Sequence, residues 1–222
     1  MNATSRKRVS GAIRDKERTM LKLIQAVGEI IKTEGYTGLG INRIAKKAEV
    51  DKKLIYRYFK NVNLLIETYV KTKDYWLSLS EDMDQIAKAA TVEKGKPLAK
   101  NILRTHLSFL FGEDEMQKIV LWEISEKSKF IKDICFQREQ FGNEVFKMIE
   151  PHFEESNLDV RATLALQVAG IIFLVLQAKS SGNPFCGIDI NKDEDMERIL
   201  SALDGVVDMA YQQIEMQEDS QL

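Results

Sequence analysis

Apolar residues recur along the chain at helical spacing, and two-residue alternation is missing throughout. Met20, Ile24, Val27 and Ile31 step by four, three and four, with Leu23 and Ile30 widening the stripe. This predicts a first helix closed by Glu34, Gly35 and Tyr36, with Gly35 suited to the left-handed position after a helix. Ile41, Ile44, Ala45 and Ala48 share one face of a short second helix, which Gly40 begins. The pattern restarts at Asp51, whose carboxylate can cap a third helix running through Phe59. Two short helices joined by three or four residues, with a longer one in front, read as a helix-turn-helix.

Asn61 then caps a fourth helix, with Leu65, Tyr69, Trp76 and Leu79 on its inner face, reaching Ser80. Further helices are predicted near 82–90, 97–111, 114–127, 129–150, 158–180 and 192–216. Gly95-Lys96-Pro97, Gly112, Pro151 and the loop from Ser181 to Ile190 separate them. The last helix shows a stripe of Met196, Ile199, Leu203, Val206, Ala210 and Ile214, with Asn191 and Glu194 as a capping box at its start. Ala162 to Ala178 is apolar on nearly every side. Thr163, Gln167 and Gln177 interrupt it and it falls short of the ~20 residues of a membrane span, so it reads as a buried helix. A helix without a polar face needs neighbours all round, and a second subunit is a natural supplier. The expectation is an all-α protein of about nine helices that does not enter a membrane.

Charge changes the picture next. The 222 residues carry a formal net charge of only −2. Residues 1–73, however, hold 17 Lys and Arg against 7 Asp and Glu, a net +10, which leaves −12 on the remainder. Such asymmetry points to a module that binds a polyanion. Arg6, Lys7 and Arg8, followed by Arg14, read as a flexible basic arm able to track phosphates or enter a minor groove.

Cys135 and Cys186 are far apart and no His stands at ligand spacing from either, so neither a metal site nor a disulfide framework is expected. The polar, basic N-terminus lacks the apolar run of a secretory signal, which suggests a cytoplasmic protein. No Ser-His-Asp order, HExxH, phosphate loop or dinucleotide fingerprint appears, and His106 and His152 have no motif neighbours. Neither an enzyme nor a cofactor is expected. An adaptor that binds other proteins, or an enzyme without DNA binding, remains the alternative, and salt-dependent binding to duplex DNA separates the readings.

Residues 39–65 carry Ile44-Ala45 with Ala48 and Val50, then Tyr56, Tyr58 and Phe59, and Leu65 beyond. In this combination the segment resembles the DNA-binding domain of tetracycline-repressor (TetR) family regulators, over roughly residues 15–70. The resemblance implies a three-helix DNA-binding domain at 1–62 and a ligand-binding and dimerisation domain at 63–222. It implies a homodimer whose last two helices form a four-helix bundle with those of the partner. It also implies a recognition helix in the major groove of a palindromic operator, and a repressor released by a small-molecule effector. Gly40 stands where a capping Ser or Thr is common in the family, Glu49 where the turn usually has Gly, and Val62 where a phosphate-binding Lys is usual. Lys53 and Leu54 replace a small residue and Thr early in the recognition helix.

The residue chemistry agrees with that placement. Lys52, Lys53 and Arg57 project donors from the polar face of a helix whose other face, Ile55, Phe59 and the edge of Tyr58, is needed for packing. Tyr56 offers a ring and a hydroxyl suited to a phosphate or a thymine methyl. Arg43, Lys46 and Lys47 before the recognition helix, and Lys60 after it, are expected phosphate neutralisers. The expected DNA-binding set is therefore Arg43, Lys46, Lys47, Lys52, Lys53, Leu54, Tyr56, Arg57, Tyr58 and Lys60. For the effector, the candidate linings are Tyr69, Trp76, His106, Phe109, Trp122, Phe136 and Phe141.

Overall fold

The computed structural model describes residues 4–127, 129–154 and 156–220, with side chains except at 4–12, 130 and 217–220. Among the described residues there are eleven α-helices and no strand: α1 (Thr4–Glu34), α2 (Ile41–Lys47), α3 (Lys53–Phe59), α4 (Val62–Lys73), α5 (Tyr75–Leu79), α6 (Met83–Ala90), α7 (Lys96–Gly112), α8 (Asp114–Ser125), α9 (Lys129–Ile149), α10 (Val160–Ser181) and α11 (Asp193–Ser220). The chain divides into two compact units.

The first unit comprises Met1–Asp74 and Lys118–Ile134. Leu23, Val27, Ile30 and Ile31 of α1 are buried together with Ile44 and Ala45 of α2, Ile55 and Phe59 of α3, and Leu65, Ile66, Tyr69 and Val70 of α4. Gly28 of α1 makes room for Tyr69 of α4: a Cβ there would lie 2.6 Å from the Tyr69 hydroxyl oxygen, so a larger residue would have to displace the tyrosine ring. Gly35 adopts φ 71° and its N–H donates to the Ile31 carbonyl, ending α1 as its sequence predicts. The later segment of this unit docks at the same end of α1. Trp122 of α8 stacks on Tyr36 at 5.2 Å between ring centroids with planes 1° apart. The Lys118 ammonium donates to the Lys32 carbonyl in the last turn of α1. Ile119, Val120, Ile131 and Ile134 are buried.

The compact units divide after Asp74, and the first takes back a segment from the middle of the chain. It holds 21 Lys and Arg against 11 Asp and Glu, again a net +10, so the charge split survives the change of boundary. α1 begins at Thr4, and Arg14 lies within it instead of in an extended arm. The side chains of Arg6, Lys7 and Arg8 lie outside the described residues.

The second unit comprises Tyr75–Gln117 and Cys135–Leu222. α7 is central, with α6, α10 and α11 against it. Its Lys96 and Lys100 pair with Asp208 of α11, and its Arg104 pairs with Asp204. The predicted fourth helix does not continue to Ser80: Asp74 takes an extended conformation (ψ 117°), and α5 starts afresh behind it. An acidic residue with β dihedrals directly before a helix suits the free N–H groups there, which the apolar periodicity of the segment does not reveal. The capping box at Asn191 and Glu194 does not form either. Asp195 of α11 accepts from the Asp189 backbone N–H at 2.9 Å, and the Asn191 side chain donates to Asp189.

The last two helices each have two apolar sides. On α10, Val160, Ile171, Val175 and Ala178 are buried, while Ala162, Ala165, Leu166, Ala169 and Phe173 are exposed along a second stripe. Leu166 is 75% exposed. On α11 the buried residues are Leu200, Leu203, Val207, Ala210, Tyr211 and Ile214, whereas Met196, Ile199 and Val206 of the predicted stripe are half-buried. Val160–Ser181 is 22 residues long and apolar enough by composition to cross a membrane, so the expected shortfall in length does not hold, and one of its two apolar sides is exposed instead of buried.

Candidate DNA interface

The turn that presents α3 has a specific backbone form. The Val50 N–H donates to the Ala45 carbonyl and the Glu49 N–H to the Lys46 carbonyl, the paired bonds of a Schellman motif closing α2. The position that motif reserves for a left-handed residue is Glu49, at φ 55°. A side chain there carries a steric cost of about 1–2 kcal/mol. Glu49→Gly relieves it and adds unfolded-state entropy, so the net expected gain is about 0.5–1 kcal/mol. A midpoint rise of about 1–4 °C in thermal unfolding is the expected readout. Immediately afterwards Asp51 caps α3, its side chain accepting from the Lys53 N–H at 2.7 Å and its carbonyl accepting from the Leu54 N–H. Asn61 caps α4 in the same way through the Leu64 N–H at 2.9 Å.

These caps fix which way α3 faces. Ile55 and Phe59 are buried one turn apart, and Leu54 and Tyr58 are half-buried beside them. Lys52 already has helical dihedrals and stands one turn before Tyr56, while Lys53 stands one turn before Arg57. All four are exposed, Tyr56 at 56%. The result is two parallel rows of donors and one free ring on the outer face of a short helix. Lys52 is steered by Asn42 of α2, whose side-chain oxygen accepts from its ammonium at 3.4 Å. Asn42 is absent from the sequence-predicted set because its contact crosses from one helix to the next.

The cations of α2 differ among themselves. Arg43 donates to Glu34 at 2.7 Å and to the Gly38 carbonyl, and Lys47 pairs with Glu29 at 3.0 Å. Both pairs are exposed and hold α2 against the end of α1 with a strength of about 1 kcal/mol or less. Lys46, Lys53 and Lys60 are exposed and form no ion pair among the described residues.

The seven residues expected to line an effector site are divided between the two units. Tyr69 and Trp122 belong to the first unit and are packed on Gly28 and Tyr36. Phe136 is 63% exposed. Trp76, His106 and Phe109 do meet, in the second unit, around Tyr75: the ring centroids of Tyr75 lie 5.1, 5.3 and 5.3 Å from Trp76, His106 and Phe109, and Trp76 lies 4.7 Å from His106. Tyr75 was missed because the periodicity runs straight through the break at Asp74. Its hydroxyl donates to the Ile102 carbonyl, and burial pushes its pKa up to about 12. Phe141 lines a separate open cleft of about 640 Å³, with Leu77, Met83, Gln137, Gln140 and Arg161 among its other walls.

His106 is 4% exposed, and neither ring nitrogen has a hydrogen-bond partner among the described residues. Burial, with the positive charge of Arg138 adding to it, pushes its pKa down to about 4. The unfolded chain therefore binds a proton that the folded chain refuses between about pH 6.5 and 4. The stability this residue permits is complete above pH 6.5 and falls by roughly 1.4 kcal/mol per pH unit within that window. Thermal unfolding followed from pH 7 to 4.5 should show the fall, and His106→Phe should flatten it.

A family model described as bacterial regulatory proteins, tetR family, matches residues 23–67. That span begins at the buried Leu23 of α1 and ends within α4, taking in the turn and the donor rows just described. The helix-turn-helix segment is that of the tetR family.

Solved structures of similar fold extend the likeness beyond the matched segment. FadR from Bacillus subtilis, solved in complex with stearoyl-CoA, superposes with a TM-score of 0.60 at 18% identity, covering 86% of this chain and 97% of that one. NalD, the secondary repressor of the MexAB-OprM multidrug efflux pump in Pseudomonas aeruginosa, gives 0.61 at 16% identity over 86% and 95%. HlyIIR, a hemolysin II transcriptional regulator, gives 0.53 at 20% identity over 84% and 97%. No curated protein matches the sequence. Gly40 begins α2 with extended dihedrals and no side-chain cap, so it adds no hydroxyl to the first turn of that helix.

Proposed function

We propose that the protein represses transcription by docking α3 in the major groove of a palindromic operator as a homodimer, and that a small-molecule effector releases it. The observation that carries this reading is the outer face of α3. Lys52, Lys53, Tyr56 and Arg57 stand exposed in two rows on a helix held rigid by Asp51, Ile55 and Phe59, inside a unit of net charge +10. Lysine and arginine at these positions suit guanine edges and phosphates, and the Tyr56 ring suits a thymine methyl. Arg43, Lys46, Lys47 and Lys60 would add phosphate contacts, the first and third by exchanging weak surface pairs for phosphate oxygens. Leu54 and Tyr58 would set the depth of the helix in the groove.

In this reading the first unit binds DNA and the second binds the effector and the partner subunit. The exposed stripe of α10 and the half-buried Met196, Ile199 and Val206 of α11 would meet the same residues of a second copy in an isologous interface. The cluster of Tyr75, Trp76, His106 and Phe109 and the cleft at Phe141 are the candidate effector sites. FadR, solved with stearoyl-CoA, and NalD, a repressor, are neighbours of the same fold that support a ligand-responsive repressor. An effector acts only by binding the DNA-free arrangement better than the DNA-bound one. The protein would work in the cytoplasm, without a cofactor and without catalysis.

Selection of bound sequences from a random duplex pool, followed by footprinting, tests the proposal. The expected outcome is a two-fold symmetric site whose affinity falls steeply as salt rises. A selected pool without symmetry, or binding indifferent to salt, would overturn it.

A further inference from the structure

Two cations converge on one ring of the helix-turn-helix. The Lys16 ammonium of α1 lies 5.9 Å from the centroid of the Tyr58 ring, and the Arg57 guanidinium lies 5.8 Å from it. Both side chains are exposed, and neither forms an ion pair among the described residues. The acids beside Lys16 in sequence, Asp15 and Glu17, are on other sides of α1, since adjacent helix positions do not face each other. The ring attracts each cation through its π face without neutralising either. Each cation therefore keeps its full charge at the surface, where an anion can meet it.

The location selects the anion. Arg57 stands one turn after Lys53 and beside Tyr56, so whatever it touches is continuous with the outer face of α3. Lys16 extends that face onto α1, well before the residues that the family model matches. We infer that Lys16 and Arg57, gathered at the Tyr58 ring, clamp the backbone of duplex DNA through phosphate contacts that flank the bases α3 reads. This rests on the reading of α3 as the recognition helix. A phosphate contact fixes register and strengthens binding without choosing sequence, so Lys16 adds affinity equally to every duplex.

The test uses the full chain with a duplex recovered by selection and a scrambled duplex of the same length and composition. Binding is measured across a salt series. Lys16→Ala is expected to make the slope of log affinity against log salt shallower by about 1 per protomer on both duplexes, with the ratio of the two affinities unchanged. Lys16→Arg should keep the wild-type slope, and Lys16→Glu should weaken binding further than Lys16→Ala. Phosphate ethylation interference should show one strong position per half-site with the wild type that vanishes with Lys16→Ala. An unchanged slope, or a loss confined to the selected duplex, overturns the clamp while leaving the recognition helix in place. Failure of the wild type to bind either duplex overturns the DNA-binding reading and the clamp with it.

Discussion

Replacing Tyr56 and Lys52 together with alanine is expected to abolish specific operator binding while leaving the protein folded and dimeric. Both side chains point away from the core of the first unit, which Ile55 and Phe59 hold from the other side of α3. Alanine is the residue most compatible with a helix, and the Asp51 cap lies outside the change. The unfolding midpoint should therefore stay within a degree or two. Each good base contact discriminates by about 1–3 kcal/mol, so losing two per protomer removes about two orders of magnitude or more from the operator affinity. Binding to random duplex should fall far less, because Lys53, Arg57 and the cations of α2 remain. Footprinting against circular dichroism and sedimentation gives the three readouts. Unchanged protection of the operator would take the recognition role away from this face of α3.

The second large effect is expected from the far end of the chain. Leu166→Glu with Phe173→Glu places charges on the exposed stripe of α10 without touching Ile171, Val175 or Ala178 on its buried side. Across a two-fold interface each new carboxylate meets its own kind in a surface that water no longer reaches, which opposes association strongly. The chain should become a monomer at micromolar concentration. Operator affinity should then fall by about 10²–10⁴-fold, because the two half-sites are no longer bound by one linked particle. Unfolding of the second unit should persist as a cooperative transition, since Lys96, Lys100 and Arg104 still tie α7 to α11. A dimer that survives both changes would place the interface elsewhere than α10.

What the sequence discloses depends on the range of the interaction. Gly35, Asp51 and Asn61 act within four residues, and their roles as helix ends are legible because the chemistry of a cap is local. The burial of Ile44, Ala45, Ile55 and Phe59 is equally legible, since a short helix has only one face to hide. Asp74 is different. The apolar spacing of Leu65, Tyr69 and Trp76 runs through it unbroken, yet Asp74 is buried with an extended backbone and α4 ends there. Asp195 wins over Glu194 as the carboxylate at the start of α11 because Asp189 folds back toward it, a loop geometry that residue types alone do not specify. The aromatic residues divide on the same principle. Trp76, His106 and Phe109 come together, but Tyr69, Trp122 and Phe136 share their chemistry and not their surroundings.

The return of Lys118–Ile134 to the first unit sets an order on synthesis and folding. Tyr36 leaves the ribosome long before Trp122, and until then the end of α1 lacks the ring that stacks on it and the ammonium that closes its last carbonyls. The helix-turn-helix therefore completes its apolar core only once α8 and the first turns of α9 have emerged, after the first stretch of the second unit, Tyr75–Gln117, has been made. Contacts of such wide sequence separation form late, after loop closure has been offset by packing. A growing chain cut short before Ile134 would carry the whole recognition helix and still lack part of the surface that steadies it, so premature products should be poor competitors for the operator.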